Sequence, residues 1–105
     1  MTPELRAAYW ALVRECMVRF HGLTERQAAR RVAAFIRHLE QAPPEMNMDI
    51  VFNNEAFDLA SDLAERELNR RLFWDEYMEM MERIYAAYLD PVGASSPSPG
   101  VLPAA

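Results

Sequence analysis

Four stretches of this chain repeat apolar side chains every three or four residues, and residues that end helices separate several of them. An α-helix turns by about 100° per residue, so this spacing gathers the apolar side chains on one face. Gly22 follows the first stretch, and Pro43-Pro44 follows the second. Glycine readily adopts the left-handed conformation that closes a helix, and proline cannot donate a backbone hydrogen bond. The pattern predicts helices over residues 3–21, 25–41, 55–68 and 72–89.

Capping residues stand at three of the predicted helix starts. Thr2 precedes a proline, which is favoured at the first helical position because its missing N–H would have no partner there. Thr24 is followed three residues later by Gln27, which predicts a capping box. Asn53 or Asn54 is placed to cap the third helix.

The fourth predicted helix has the largest apolar side chains, which are Trp74, Tyr77, Met78, Met81, Ile84, Tyr85 and Tyr88. Burial of such a side chain stabilises a fold by about 1.5–3 kcal/mol, so we expect this helix to supply the centre of the core. Trp10, Met17 and His21 flank the apolar face of the first helix, where we expect them to seal the core. Short connections and the lack of a convincing strand predict an all-α fold, a compact four-helix domain over residues 1–90.

Two segments do not follow the helical pattern. Residues 45–53 could form a short helical turn or an extended connector, because periodicity cannot decide over so few positions. Residues 91–105 are rich in Pro, Ser, Gly and Ala and have no charged side chain, which predicts a flexible, disordered tail.

Length and composition narrow the class of protein. The chain has 105 residues, which suits one domain, and its single cysteine, Cys16, cannot form an internal disulfide. Its start lacks the pattern of a secretory signal, and no run of 18 apolar residues could cross a membrane. We therefore expect a cytoplasmic protein without a membrane segment.

The charges are sorted along the chain. Residues 1–44 contain seven Arg and four Glu, a net charge of +3, whereas residues 45–90 contain four Arg and twelve acids, a net charge of −8. Much of the acidic charge lies on the third and fourth helices, opposite their apolar faces: Glu55, Asp58, Asp62, Glu65, Asp75, Glu76, Glu79 and Glu82. These carboxylates are either a solvated surface that confers solubility or a surface that binds a basic partner.

The sequence offers little for catalysis, metal binding or a cofactor. Neither His21 nor His38 has a Glu three positions before it, as di-iron bundles require, and no calcium-loop pattern is present. Cys16 falls on the apolar face, where a thiol is inert, and Ser61 is the only serine before the tail. No nucleophile motif or glycine-rich phosphate loop is present, so we predict a non-enzymatic protein with no cofactor and no metal.

Residues 22–31 resemble the opening of helix-turn-helix DNA-binding segments, with an arginine cluster that would meet phosphates. The residues that follow continue the same helix where a turn and a recognition helix would be needed. The net charge of −5 is also opposite to that of a nucleic-acid-binding surface. No nucleic-acid partner is predicted.

Two functional hypotheses remain. The first is a small protein that binds a basic protein through the eight carboxylates, as an inhibitor, an antitoxin-like or immunity-like protein, or an adaptor. The second is a self-associating helical subunit, a homodimer in which the acidic helices of one copy face Arg26, Arg30 and Arg37 of another. A carboxylate-based metalloprotein or a DNA-binding domain is a weaker alternative.

Overall fold

A computed structural model describes residues 2–43 and 54–89 of the chain. These residues form α1 (Pro3–His21), α2 (Glu25–Glu40), α3 (Ala56–Leu63), a 3-10 helix (Arg70–Phe73) and α4 (Trp74–Leu89). No strand occurs in the described ranges. The predicted all-α, four-helix fold is confirmed.

Residues 45–53, for which a short helical turn or an extended connector is expected, lie outside the described residues, and so do residues 91–105, the predicted tail. None of the helices in the described part combines the length and the apolar character needed to cross a membrane.

Helix α1 lies at the centre of the fold and packs against α2, α3 and α4. Its fully buried side chains include Leu12, Val13, Cys16 and Met17. Helix α4 adds Tyr77, which is 1% exposed, but its Trp74 and Tyr88 are 38% and 39% exposed. The prediction that the fourth helix supplies the centre of the core is therefore wrong. The central helix is α1, which packs against all three other helices, whereas α4 packs mainly against α1.

Two of the three residues that flank the apolar face of α1, Trp10 and Met17, lie in the core as expected, whereas His21 is half-buried. Trp10 is 7% exposed and Met17 is fully buried. The Trp10 ring lies edge-on to Phe35 of α2, with 6.1 Å between ring centroids. Trp10 therefore joins α1 to α2.

Phenylalanine and tyrosine rings hold α1, α3 and α4 together. The Phe57 ring of α3 lies 5.2 Å from Phe20 of α1, 5.6 Å from Tyr77 of α4 and 6.1 Å from Phe73 of the 3-10 helix, measured between centroids. Offset and edge-to-face ring pairs at these distances stabilise a core beyond the area they bury. Phe57 thus links three elements around one side chain.

The capping signals in the first half of the chain are confirmed. The Thr2 hydroxyl accepts the Leu5 N–H at 3.1 Å. The Thr24 hydroxyl accepts the Gln27 N–H at 3.1 Å, and the Gln27 side chain accepts the Thr24 N–H at 2.9 Å. These two bonds complete the predicted capping box of α2.

Helix α3 ends at Leu63, five residues before the predicted boundary. Glu65 adopts the left-handed conformation, with φ 58°. The Arg66 N–H reaches the Ser61 carbonyl and the Glu65 N–H reaches the Asp62 carbonyl, both at 3.1 Å. This is the Schellman pattern that terminates helices, formed here around a residue other than glycine.

Candidate functional site

Seven of the eight predicted partner-binding carboxylates are exposed, and Glu76 is half-buried. Asp58 and Asp62 lie on α3, and Asp75, Glu76, Glu79 and Glu82 lie on α4. Glu65 lies beyond the end of α3, which corrects its predicted place on that helix. Glu55 directly precedes α3, at its N-cap position.

Two of these carboxylates form ion pairs within the described residues. Asp58 accepts a hydrogen bond from Arg70 at 3.0 Å, and the Arg70 guanidinium also lies 5.5 Å from the centroid of the Trp74 ring. Glu76 pairs with Arg19, which ties α4 to α1. These two carboxylates therefore help to hold the helices in place.

The other exposed carboxylates on these elements have no cationic partner in the described part of the chain: Asp62, Glu65, Asp75, Glu79 and Glu82. Arg66, Arg71 and Arg83 are near them in sequence and are exposed, but they make no ion pair within residues 2–43 and 54–89. The acidic charge of this region is thus largely unpaired by the fold.

The arginines of α2 do not neutralise the acidic helices inside the described fold. Arg26, Arg30 and Arg37 are exposed, and no ion pair of the described residues joins α2 to α3 or α4. Arg31 is the member of α2 that reaches α3, and it donates from Nη1 to the Leu63 carbonyl at 2.7 Å. This bond satisfies a carbonyl at the end of α3 that has no partner within the helix.

Glu55 has a different environment from the other carboxylates. Its side chain makes no capping bond to α3, although it occupies the N-cap position that the sequence assigned to Asn53 or Asn54. Instead, Glu55 Oε1 accepts a hydrogen bond from the Tyr77 hydroxyl at 3.0 Å. The neighbouring Asn54 carbonyl accepts one from the Tyr9 hydroxyl, also at 3.0 Å.

These groups line a cleft of about 180 Å³ where α1, α4 and the start of α3 meet. Its lining residues are Tyr9, Leu12, Asn54, Glu55, Ala56, Tyr77, Met81 and Tyr85. The cleft therefore joins one carboxylate to three tyrosines from two helices. Periodicity predicts Glu55 as one more outward acid, and only the packing of α1 against the start of α3 brings Tyr9 close to it.

The tyrosine hydroxyls of this cleft stay protonated. Burial is the largest cause that raises the pKa of Tyr9, Tyr77 and Tyr85 above the ordinary value. The negative charge of Glu55 raises all three further, and for Tyr77 the hydrogen bond to Glu55 adds to the effect. The tyrosines therefore contribute neutral hydroxyls to the cleft, and Glu55 contributes a carboxylate.

A larger groove of about 420 Å³ lies between α1, α2 and α4. Its charged lining consists of two arginines, Arg14 and Arg83, and two glutamates, Glu15 and Glu25. Small apolar side chains such as Ala29 form other parts of its lining. The balanced charges give this groove no electrostatic preference for a cationic or an anionic ligand.

The thiol of Cys16 lies in the core, and the half-buried imidazole of His21 lies beside the buried hydroxyl of Ser61. Cys16 is fully buried, and burial first, then the charge of Glu15, raises the pKa of its thiol to about 12, which agrees with the predicted inert role. His21 Nε2 lies 3.3 Å from the hydroxyl of Ser61, which is 7% exposed. No group of three or more His, Cys, Asp or Glu side chains in the described residues is arranged to hold a metal ion.

Comparison with protein-family models, with curated proteins and with solved structures found no match to this chain.

Proposed function

We propose that this protein binds a basic protein through the exposed carboxylates of α3, its C-terminal turn and α4, and that it acts by occupying that surface of its partner. An inhibitor, an antitoxin-like or immunity-like protein, or an adaptor would work in this way. The main support is the set of acids without a cationic partner in the described fold: Asp62, Glu65, Asp75, Glu79 and Glu82.

The negative charges of these side chains do not stabilise the fold, but they would attract a basic partner. Carboxylates three or four residues apart on a helix, such as Asp75, Glu79 and Glu82, destabilise it by a few tenths of a kcal/mol per pair. The core of the fold is apolar and does not depend on them. A basic partner would relieve this repulsion, and its approach would be accelerated by the opposite charge.

The placement of the arginines is compatible with this arrangement. Arg19 and Arg70 are engaged with Glu76 and Asp58, and Arg31 is bonded to a backbone carbonyl. Helix α2, which has the arginine face, packs on α1 and makes no ion pair with α3 or α4 in the described ranges. The acidic side chains are therefore available to a partner without disruption of a contact that holds the fold.

The experiment uses fluorescent octa-arginine as the cationic probe and compares two triple variants that change the net charge equally. The acidic-surface variant combines Asp62→Asn, Glu79→Gln and Glu82→Gln. The control variant removes three carboxylates from α1 and α2 and combines Glu4→Gln, Glu25→Gln and Glu40→Gln. Exposed charge pairs contribute about 0.2–1 kcal/mol each, so the acidic-surface variant should bind about tenfold more weakly at low salt.

The control variant should lose less than about threefold in affinity, because its carboxylates lie on other elements. Binding by the unmodified protein should also weaken steeply with salt. Equal losses in the two variants would contradict the proposal, since binding would then depend on net charge alone. The same pair of variants can be used in affinity purification from the native host, where a specific partner should be lost with the first variant and retained with the second.

Self-association is a second candidate, favoured by the exposed arginines of α2. Arg26, Arg30 and Arg37 have no ion-pair partner in the described residues, and they are complementary to the acidic helices of a second copy. Sedimentation should then show a dimer at low salt that dissociates near 1 M salt, where the Debye length is about 3 Å. A monomer at high protein concentration and low salt would rule this candidate out.

A further inference from the structure

We propose that the cleft between α1, α4 and the start of α3 is a binding pocket for a guanidinium group, the head of an arginine side chain. The pocket is formed by Glu55 together with Tyr9, Tyr77 and Tyr85. The inference deepens the proposed function and rests on it, because the arginine would belong to the basic partner. It assigns to one of the eight carboxylates a role distinct from that of the others.

The carboxylate of the pocket is held in place by the fold. Tyr77 is 1% exposed, and its hydroxyl fixes Glu55 Oε1 at 3.0 Å. Glu55 Oε2 makes no hydrogen bond within the described residues, and the residue itself is exposed. A rigid donor behind an exposed carboxylate reduces the loss of side-chain freedom when a cation binds.

The hydrogen-bonding groups of the cleft match a guanidinium. Oxygen acceptors line the cleft from the Glu55 carboxylate and from the Asn54 carbonyl, which has a second lone pair beside the one that Tyr9 uses, and Tyr85 also lines it. An arginine head group offers five N–H donors in a planar arrangement and no acceptor. The partly buried Tyr85 ring adds an aromatic surface, on which arginine stacks favourably.

The size of the cleft also suits this ligand. A volume of about 180 Å³ leaves room for a small cationic head group such as a guanidinium, which has four heavy atoms. A divalent metal ion would need several carboxylates, and among the described residues that line the cleft Glu55 is the one carboxylate. A single cationic side chain fits both the volume and the charge.

The probe for the test is methylguanidinium chloride, titrated into the isotope-labelled full-length protein and followed by amide NMR shifts. Methylurea, which has a similar shape and no charge, and sodium chloride serve as controls. We expect saturable shifts at Glu55, Tyr77 and Tyr85 with methylguanidinium alone. Loss of a hydrogen bond to a charged group weakens binding by roughly tenfold or more, so Glu55→Gln should do so here.

Glu40→Gln is the matched control, because it removes an exposed carboxylate from α2, outside both the cleft and the acidic surface. It should leave the affinity for methylguanidinium within about twofold. Tyr85→Phe keeps the ring and removes one hydroxyl, and it should weaken binding by about threefold while the fold is retained. This second variant provides the test should Glu55→Gln fail to fold.

The proposal is overturned by the absence of saturable shifts, by equal shifts with methylurea, or by equal losses in Glu55→Gln and Glu40→Gln. Its failure can be separated from failure of the acidic-surface proposal. If the acidic-surface triple variant keeps octa-arginine affinity while Glu55→Gln loses methylguanidinium, the pocket stands and the wider surface does not. The reverse result would support the acidic-surface proposal and contradict the pocket proposal.

Discussion

Helices α2 and α3 differ in what stabilises them, local capping in α2 and tertiary packing in α3. Helix α2 has 16 residues, a complete capping box and three buried side chains. Helix α3 has eight residues, no side-chain cap at its start and five buried side chains. Isolated helices as short as α3 are unstable in water, so its helical state depends on packing. Local signals define α2, and tertiary contacts define α3.

The two helices also meet at one polar contact, which supports the less autonomous of them. Arg31 of α2 donates to the Leu63 carbonyl at the C-terminal end of α3. A cation at this end of a helix interacts favourably with the helix dipole. The better-specified helix therefore helps to terminate the helix that depends on packing.

Removal of the Phe57 ring should have the largest effect on this comparison. The side chain is 1% exposed and contacts rings of α1, α4 and the 3-10 helix, so Phe57→Ala should lower the free energy of unfolding by about 3–5 kcal/mol. Phe35→Ala in α2 is the matched control, and it should cost clearly less because Phe35 is half-buried. Urea denaturation measures both, and equal losses would contradict the view that α3 is the element held by packing.

The Thr24 cap should have the next largest effect. Thr24→Ala removes the hydroxyl that accepts the Gln27 N–H, so it should cost about 1 kcal/mol of unfolding free energy. Thr24→Ser retains the hydroxyl and should remain within a few tenths of a kcal/mol of the unmodified protein. Thermal denaturation distinguishes the two variants, and similar destabilisation by both would show that the capping bond is unimportant for α2.

Replacement of Glu65, which has a left-handed backbone conformation, should increase the stability of the protein. A residue with a Cβ at φ 58° is strained by about 1–2 kcal/mol, so Glu65→Gly should raise the free energy of unfolding by about 0.5–1 kcal/mol, after the entropic cost of glycine. Glu65→Ala keeps the strain and should give no such gain, which separates the backbone effect from the loss of charge. Denaturant titration would refute the interpretation if both variants gained equally.

Gly22 provides the reciprocal test at the end of α1. Its φ is 73°, and an added Cβ would meet no atom within 4 Å, so Gly22→Ala tests the backbone conformation without a steric clash. We expect a loss of about 1 kcal/mol in the same denaturation experiment. The two helix ends thus have the same left-handed backbone and opposite responses to substitution.

The helix ends that depend on local chemistry can be predicted from the sequence. The Thr24 capping box and the Gly22 end were predicted because both use residues whose side chains, or lack of one, favour that geometry. The end of α3 was missed because Glu65 has no intrinsic preference for a positive φ, and the hydrogen bonds of the terminating turn override its propensity.

In the candidate site, too, local pattern predicts some features and tertiary packing determines others. Exposure of Asp62, Asp75 and Glu79 followed from helical periodicity, since these positions lie opposite the apolar faces. The environment of Glu55 could not be deduced in this way, because Tyr9 is 46 residues away in sequence and approaches only through the packing of α1. Helical periodicity predicts which face of a helix is exposed to solvent. It does not predict which other helix packs beside that face.

The pH dependence of stability should show the smallest effect, and it concerns the contact of α3 with α1. Burial first, and then the charge of Arg66, lowers the pKa of His21 below its ordinary value of 6.5. The unfolded chain therefore takes up this proton at a higher pH than the folded chain. Stability should fall as the pH decreases from above 6.5 through the window down to the lowered folded-state pKa.

His21 Nε2 lies 3.3 Å from the Ser61 hydroxyl, so protonation should weaken the attachment of α3 before that of α2. Amide hydrogen exchange in α3 should accelerate in this pH window, after correction for the intrinsic rates, while α2 changes less. His21→Gln removes the titrating group, so unfolding curves of this variant should depend less on pH in the same window. An unchanged pH dependence in His21→Gln would mean that another group controls the acid response, and that the difference between α2 and α3 does not extend to their behaviour in acid.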